Sequence, residues 1–232
     1  MSERVVTIDG PAGSGKGTVG QQLAIRLGWR FLDSGALYRA CAYVAVQNGI
    51  TAERIESLLD HLERVKFETI PVSQGGEARV LLNGEDISAA VRTAECGQMA
   101  SKVAVNQNLR RALLNVQRKY CQPPGLVADG RDMGSVVFPH AMLKVYLTAS
   151  LKVRSQRKFK QLKEKEISLK YDKIYKEIEN RDLRDSTRSH APLTTPEGAL
   201  VIDTSSLSVD DVLQRVLDGV YVKMNTLESE AQ

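Results

Sequence analysis

The most constraining feature of the chain is the stretch Gly-Pro-Ala-Gly-Ser-Gly-Lys-Gly-Thr at residues 10–18. A β-branched run at 5–8 precedes it and predicts a strand, and apolar residues at helical spacing after Lys16 predict a helix. Between a strand and a helix, such a loop turns backbone N–H groups around a polyphosphate, and Lys16 reaches the outer phosphates. We therefore predict that a nucleoside triphosphate is bound by Gly10, Pro11, Ala12, Gly13, Ser14, Gly15, Lys16, Gly17 and Thr18.

The end of this loop departs from the strict P-loop pattern, in which serine or threonine follows the lysine at once. Gly17 intervenes here, and Thr18 takes the next place. A direct bond between the Thr18 hydroxyl and Mg²⁺ is therefore less strongly indicated than phosphate binding. The alternative, a glycine-rich turn without a ligand, is disfavoured by the flanking strand and helix.

Short apolar runs bounded by turn residues recur at 30–32, 126–128, 143–147 and 200–202. They are rich in branched residues, which predicts strands that are covered on both faces. Alternation of such strands with helices predicts an α/β fold, a doubly wound five-stranded parallel sheet of the P-loop NTPase type. Ligands of such a sheet gather at the carboxyl ends of its strands.

One region breaks this alternation. Residues 65–70, 78–82 and 85–87 alternate polar and apolar side chains, and Asn83-Gly84 is a dipeptide favoured in tight hairpin turns. We therefore predict a small antiparallel insertion.

Two later regions are typical of helices. Residues 92–120 are expected to form two helices with a break near 106–108, and residues 150–182 a charged helical stretch interrupted near Ser168. The chain after Lys223 has an acidic, polar ending, so we expect it not to be ordered.

Positive charge is concentrated in one segment. The formal net charge is +4, but residues 152–190 hold 13 lysines and arginines against 7 acidic residues, a local +6 that leaves the remaining chain at −2. The lysines at 158–176 are expected mostly to face solvent. Arginine offers a planar fork of donors that matches phosphate oxygens. A spacing of three and four residues predicts one helical face for Arg181, Arg184 and Arg188, and the segment also holds Arg154 and Arg157.

Triphosphate binding alone does not define a reaction, because GTPases, ATP-driven motors and small-molecule kinases share this loop. The sequence contains no Asn-Lys-x-Asp string for reading guanine, and a motor would normally be longer. A kinase needs cations around the transferring phosphoryl group, which the arginines supply. A nucleic-acid-binding P-loop protein is a further alternative, although aromatic residues, at 5%, offer little for base stacking.

Acidic residues follow several of the predicted strands. Asp33-Ser34 follows the second strand, and Arg39, one helical turn later, is expected to point toward the same edge. Asp129 follows the third strand and is expected to hold Mg²⁺ through water, as a Walker-B aspartate does. We assign the Mg²⁺ that accompanies ATP to Thr18, Asp33 and Asp129. The alternatives for Asp33 are a helix cap, or a base if the acceptor is a hydroxyl, as in a shikimate kinase.

Four strings carry a family resemblance: IDGPAGSGKGT at 8–18, LDSGALYR at 32–39, ADGRDMG at 128–134 and RDLRD at 181–185. In this order they closely resemble the bacterial cytidylate kinases, nucleoside monophosphate kinases in which glycine is usual between the lysine and threonine of the loop. The resemblance covers nearly the whole chain. It implies reversible transfer of the γ-phosphoryl group of ATP to CMP or dCMP, a step of pyrimidine nucleotide metabolism.

The resemblance also implies roles for individual residues. It implies that Ser34 and Arg39 contact the phosphate and base region of the acceptor. Readers of cytosine are implied at Ser101, Arg110 and Asp132, ribose and phosphate contacts at Arg181 and Asp185, and further phosphate-facing arginines at Arg131 and Arg188. The residues expected to act in catalysis are Lys16, Arg131, Arg157, Arg181 and Arg188.

The chain is expected to form a single kinase unit. Its core would comprise residues 1–35, 120–156 and 191–225, and its lid about 157–190. A monophosphate-binding region at 36–119 would carry the antiparallel insertion at about 63–92.

Composition and segment lengths bound the surroundings of the protein. Three cysteines without a Cys-x-x-Cys pair favour a reducing compartment, and no apolar run approaches the roughly 18 residues of a membrane helix. We expect a cytoplasmic monomer whose partners are ATP and CMP or dCMP, with neither a nucleic acid nor a membrane partner.

Overall fold

The computed structural model describes residues 4–62, 65–73, 76–164, 166, 169–188 and 190–230. Its strands are β1 (Val5–Asp9), β2 (Arg30–Asp33), β3 (Phe67–Ile70), β4 (Arg79–Leu82), β5 (Glu85–Asp86), β6 (Leu126–Gly130), β7 (Leu143–Thr148) and β8 (Leu200–Asp203). Within the described residues, five strands form a parallel sheet in the order β2-β6-β1-β7-β8. The predicted α/β fold is confirmed.

Helices connect and cover these strands. They are α1 (Lys16–Leu27), α2 (Ser34–Gln47), α3 (Leu59–Leu62), α4 (Ser88–Val91), α5 (Ala94–Val103), α6 (Gln107–Arg118), α7 (Leu151–Glu164), α8 (Tyr171–Thr187) and α9 (Val209–Glu230). A 3₁₀ segment at Ala52–Leu58 precedes α3, and a single π-helical turn at Met133–Val137 follows β6.

The sheet separates two apolar layers, because successive strand residues point to opposite faces. Val5 and Leu126 pack with α2, α5 and α6 on one face, and Val6 and Val127 pack with α1 and α9 on the other. The prediction that every strand is covered on both faces is wrong for β8, where Val201 is 54% exposed. β8 lies at the edge of the sheet, and only its other face, with Ile202, is buried against α9.

The predicted antiparallel insertion is present as the three-stranded sheet β3-β4-β5. Asn83 and Gly84 have positive φ values of 52° and 85°, as the predicted hairpin turn requires. The Thr69 hydroxyl on β3 donates to the Phe31 carbonyl at 2.8 Å, which ties the insertion to β2.

The helical regions differ from expectation mainly at their ends. The break before α6 is confirmed, and the Asn106 side chain caps α6 by accepting from the Leu109 N–H at 2.9 Å. α8 continues past residue 182 to Thr187, and the interruption predicted near Ser168 lies outside the described residues. α9 continues through the segment after Lys223 to Glu230, and buried residues up to Val220 anchor it.

Within the described part of the chain, the helices include none that is long and apolar enough to cross a membrane.

Candidate active site

The glycine-rich loop joins β1 to α1 at the carboxyl edge of the sheet. A Cβ atom at Gly10 would lie 2.0 Å from the Leu147 carbonyl oxygen, so only glycine allows β1 to leave the sheet this close to β7. Gly15 is the N-cap of α1 and has a φ of 93°. The loop therefore directs the free N–H groups and the positive dipole end of α1 toward one point, where an anion is stabilised.

Lys16 is buried within this loop, and its Nζ donates to the Pro11 carbonyl at 3.1 Å. Burial, followed by the charge of Arg131, lowers the pKa of Lys16 to about 7. A bound polyphosphate supplies the opposite charge and would favour the protonated amine. Thr18 is exposed on the first turn of α1.

Carboxylates occupy the last or next-to-last position of three adjacent strands beside the loop. Asp33 on β2 is in register with Asp129 on β6, and Asp9 ends β1. Burial raises the pKa of Asp129 to about 7, an effect opposed by the nearby charge of Lys16. Asp33 caps α2, since its Oδ1 accepts from the Ala36 N–H at 2.9 Å. The cap alternative for Asp33 is thus realised.

Asp9 organises the segment that follows β6. Its two carboxylate oxygens accept from the backbone N–H groups of Met133 and Gly134, at 2.8 and 2.7 Å. Burial raises the pKa of Asp9 to about 6, although these two hydrogen bonds oppose the shift. Asp9 thereby fixes the turn on which Arg131 and Asp132 lie.

The oxygen donors at this edge fit the magnesium ion that accompanies ATP. Asp129 and the second oxygen of Asp33 are hard ligands of the kind that Mg²⁺ prefers, and the assignment of Thr18 to the same ion stays a prediction. Mg²⁺ keeps several waters and takes phosphate oxygens as ligands, so one or two carboxylates are sufficient.

Two half-buried arginines, Arg131 after β6 and Arg181 on α8, lie close enough to the phosphate loop for both charges to lower the pKa of Lys16. Arg131 Nε donates to Asp185 Oδ2 at 2.8 Å, and Arg181 lies one turn before Asp185 on α8. Burial, and next the charge of Arg131, lowers the pKa of Arg181 to about 10. The buried Arg181 Nε has no hydrogen-bond partner among the described residues. Like charges held this close, with a donor left over, indicate a site for an anion.

A second ionic group lies at the first turn of α6. Arg110 pairs with the Asp132 carboxylate and lies over the Tyr38 ring, with its guanidinium carbon 5.7 Å from the ring centroid. The Arg188 guanidinium is 3.8 Å from Asp132 Oδ1. Arg110, Asp132 and Arg188, which the family resemblance assigned to the acceptor site, therefore lie close together.

The prediction that three arginines share one helical face is wrong. α8 ends at Thr187, and Arg188 has an extended ψ of 137° that carries it toward Asp132. Arg184 is exposed, whereas Arg181 is turned inward.

The remaining acceptor candidates come from α2 and α5. Ser34 is the first residue of α2, and its Oγ accepts from Gln117 Nε2 at 2.9 Å. Arg39 donates to the Val91 carbonyl at 2.7 Å, and its charge contributes to the lowered pKa of Arg181. Ser101 is half-buried on α5.

One arginine of α7 contacts the phosphate loop directly, and a second contacts Thr204, which bonds to the loop. Arg154 donates to the Ala12 carbonyl at 3.1 Å and pairs with Asp182 at 2.6 Å. Arg157 donates to the Thr204 hydroxyl at 2.9 Å, and that hydroxyl donates to the Ser14 carbonyl at 3.0 Å. The catalytic role assigned to Arg157 stays a prediction, and the contact shown here supports the loop.

Sequence reasoning assigned no site role to several residues that the fold brings here: Asp9, Gln117, Arg154, Asp182 and Thr204. Asp9 and Thr204 carried a signal, since both lie where predicted strands end. Arg154 and Asp182 lay in recognised segments without a distinguishing pattern. Gln117 carried no signal, because a glutamine within a helix is ordinary.

Comparison with known proteins bears on these assignments. The family model described as cytidylate kinase matches residues 6–221. The chain belongs to the cytidylate kinase family. The cytidylate kinase of Shewanella halifaxensis is 45% identical over 226 residues, which cover 97% of this chain and 98% of the relative. That of Shewanella oneidensis is 48% identical over 231 residues, with 97% and 99% covered.

A solved gluconokinase from Sinorhizobium meliloti 1021 aligns over 100% of this chain and 99% of its own, with a TM-score of 0.54 and 13% identity. At this identity the likeness shows a shared fold alone. Membership of the cytidylate kinase family confirms the resemblance drawn from the four strings, and with it the prediction of a P-loop kinase.

Proposed function

We propose that the chain transfers the γ-phosphoryl group of ATP to CMP or dCMP, giving ADP and CDP or dCDP. The observation that supports this proposal is that the charges of Arg131 and Arg181 act on Lys16 of the phosphate loop, while Arg131 also pairs with Asp185 on α8. Both charges lower the pKa of Lys16, so the three cations share one small region. Such a cluster suits two phosphate groups brought together.

On the donor side, the loop amides and Lys16 hold the β- and γ-phosphates of ATP. Asp129, with Asp33 and Thr18, would hold the accompanying Mg²⁺, which neutralises phosphate charge when bound. Arg154 and Thr204 stabilise the loop from behind through the Ala12 and Ser14 carbonyls.

On the acceptor side, an oxygen of the CMP phosphate attacks the γ-phosphorus, and the bond from that phosphorus to the β,γ-bridging oxygen breaks. The acceptor phosphate is already ionised at neutral pH, so the step needs no general base. Arg131, Arg181 and Arg188 stabilise the charge that spreads over the transferring group.

Asp132 and Ser101 bind the cytosine base, and Arg110 holds the Asp132 carboxylate in place. The exocyclic amine of cytosine is a donor, and a carboxylate accepts from it. Asp185 is in place for a ribose hydroxyl, and Ser34 and Arg39 for the acceptor phosphate.

The division of the chain belongs to the same proposal: a core at 1–35, 120–156 and 191–225, a monophosphate-binding region at 36–119 with its insertion at about 63–92, and a lid at about 157–190. The ion pair of Asp185 with Arg131 lets α8 approach the core. We expect the lid to close over both nucleotides and to exclude water. Amide hydrogen exchange across 157–190 should slow when ATP and CMP are added, and unchanged exchange would contradict closure.

Acceptor identity is tested by ADP release with CMP, dCMP, UMP, AMP and shikimate. We expect CMP and dCMP to give the highest kcat/KM. A preference for shikimate would instead make Asp33 a base, a role that its capping bond to Ala36 does not favour. Gel filtration tests the expected monomer, and the cytoplasmic location likewise stays a prediction.

A further inference from the structure

Gln117 is a polar side chain at a buried position of α6. It is 2% exposed on α6, one turn after the fully buried Leu113. Burying an amide costs free energy unless its groups are hydrogen-bonded, and leucine or methionine would fill this position without that cost. Its Nε2 donates to Ser34 Oγ at 2.9 Å, a contact between residues 83 positions apart. The partner, Ser34, is itself only 3% exposed.

The direction of this hydrogen bond determines what Ser34 can do. A serine hydroxyl has one hydrogen and two lone pairs. The Gln117 amide occupies a lone pair, so the hydroxyl hydrogen has to be donated elsewhere. Accepting one bond also polarises the hydroxyl and strengthens it as a donor. Ser34 is thereby prepared to donate to an anion.

The position of Ser34 favours a phosphate as that anion. Ser34 is the first residue of α2, where the helix dipole adds positive partial charge. It follows Asp33, whose neighbour in register is Asp129 beside Lys16. The hydroxyl therefore lies at the edge of the sheet that carries the phosphate loop.

α6 also reaches the opposite end of the acceptor. Arg110, which pairs with Asp132, precedes Gln117 by seven residues, two helical turns along the same face. The two positions are about 10 Å apart along the helix axis. One rigid helix thus supports both the base-reading pair and the phosphate-facing hydroxyl.

We infer that Gln117 is a positioning residue for the acceptor phosphate, holding the Ser34 hydroxyl with its hydrogen directed to that phosphate. The inference rests on the proposed function, because it requires a phosphorylated acceptor at the N-terminus of α2. Gln117 itself does not touch the nucleotide. Its effect passes through Ser34.

The test compares Gln117→Met and Gln117→Glu with the control Gln107→Met, an exposed position at the start of α6. Gln117→Met removes the donor, and we expect the KM for CMP to rise about tenfold. The kcat and the KM for ATP should stay within about twofold, since the lost contact binds ground state and transition state alike. Gln107→Met should match the wild type.

Gln117→Glu keeps the shape but reverses the hydrogen bond, because a carboxylate takes the Ser34 hydrogen. We expect it to raise the KM for CMP more than Gln117→Met does. Equal or better retention of CMP binding by Gln117→Glu would contradict the inferred direction. The Gln117→Glu variant also keeps the test available if thermal unfolding shows that Gln117→Met is not folded.

The decisive arm repeats both substitutions in a Ser34→Ala background. If Gln117 acts through Ser34, Gln117→Met should add less than about twofold there, and any remaining loss in Gln117→Glu reports charge alone. A Gln117→Met effect that is as large without the hydroxyl would overturn the inference. If the wild type prefers another phosphorylated acceptor to CMP, the proposed function fails, and the same cycle with that acceptor still decides the role of Gln117.

Discussion

The proposed donor and acceptor halves of the site are built in different ways. The donor half is a run of consecutive residues, 10–18, whose backbone amides and one lysine face a single point. The acceptor half is made of side chains from separate elements, with Ser34 on α2, Arg110 on α6 and Asp185 on α8. A half made of backbone is general for phosphate, whereas a half made of side chains can be specific for one nucleotide. Substitutions should therefore affect rate on the donor side and acceptor choice on the other.

The largest effect is expected at Lys16. Lys16→Met removes the cation of the loop, and kcat should fall on the order of 10³-fold, because transferring phosphoryl charge loses a preorganised donor. The exposed Lys223→Met is the matched control and should retain wild-type turnover. ADP release under saturating ATP and CMP measures both. Near-wild-type turnover of Lys16→Met would contradict the assignment of residues 10–18 to the phosphates of ATP.

The next effect compares two arginines on α8. Arg181→Met should lower kcat/KM for CMP about 10²-fold, since the Arg131 charge acts on Arg181 and the buried Arg181 Nε has no hydrogen-bond partner among the described residues. Arg184→Met, on the exposed side of the same helix, should change it less than about twofold. Equal losses from the two substitutions would mean that the arginines act only through the charge of the lid.

A smaller effect should appear in acceptor choice at Asp132. Asp132→Asn replaces an acceptor-only group by an amide that also donates, and the uracil O4 accepts where the cytosine amine donates. The ratio of kcat/KM for CMP to that for UMP should fall about thirtyfold. Parallel loss with both nucleotides, at an unchanged ratio, would assign Asp132 to holding Arg110 and Arg188 in place.

The smallest effect concerns pH. Burial raises the pKa of Asp129 to about 7 and lowers the pKa of Lys16 to about 7. Asp129 is ionised at pH values above its pKa, and Lys16 is protonated at pH values below its pKa. The kcat/KM for ATP should therefore peak near pH 7. A decrease of about threefold is expected one pH unit on either side. Asp129→Asn should remove the acid limb and move the alkaline limb to lower pH, because the Asp129 charge raises the pKa of Lys16. An unchanged profile in that variant would exclude Asp129 as the source of the acid limb.

The contrast between the two halves also explains what the sequence could predict. The loop and the hairpin at Asn83-Gly84 are local patterns, because nearby residues alone impose their backbone conformations. The sheet followed from five short branched runs. Arg188 was misplaced because no glycine or proline marks the end of α8, and its approach to Asp132 joins segments that are far apart in sequence.

Acceptor residues could not be derived from local pattern. Gln117 meets Ser34 across 83 positions, and Arg154 meets Ala12 across 142. Such contacts depend on how helices pack on the sheet, which spacing within one segment does not encode. The roles of Ser101, Arg110 and Asp132 came from family resemblance alone.

Phosphorus NMR of the chain with ATP, Mg²⁺ and CMP tests most directly whether the donor and acceptor halves act together in one transfer reaction. The proposed function predicts that the CMP and ATP signals decline together while CDP and ADP appear in equal amounts, with little inorganic phosphate. Consumption of ATP to ADP and inorganic phosphate, with CMP unchanged, would show a triphosphatase whose acceptor half does not bind CMP, and would contradict the account.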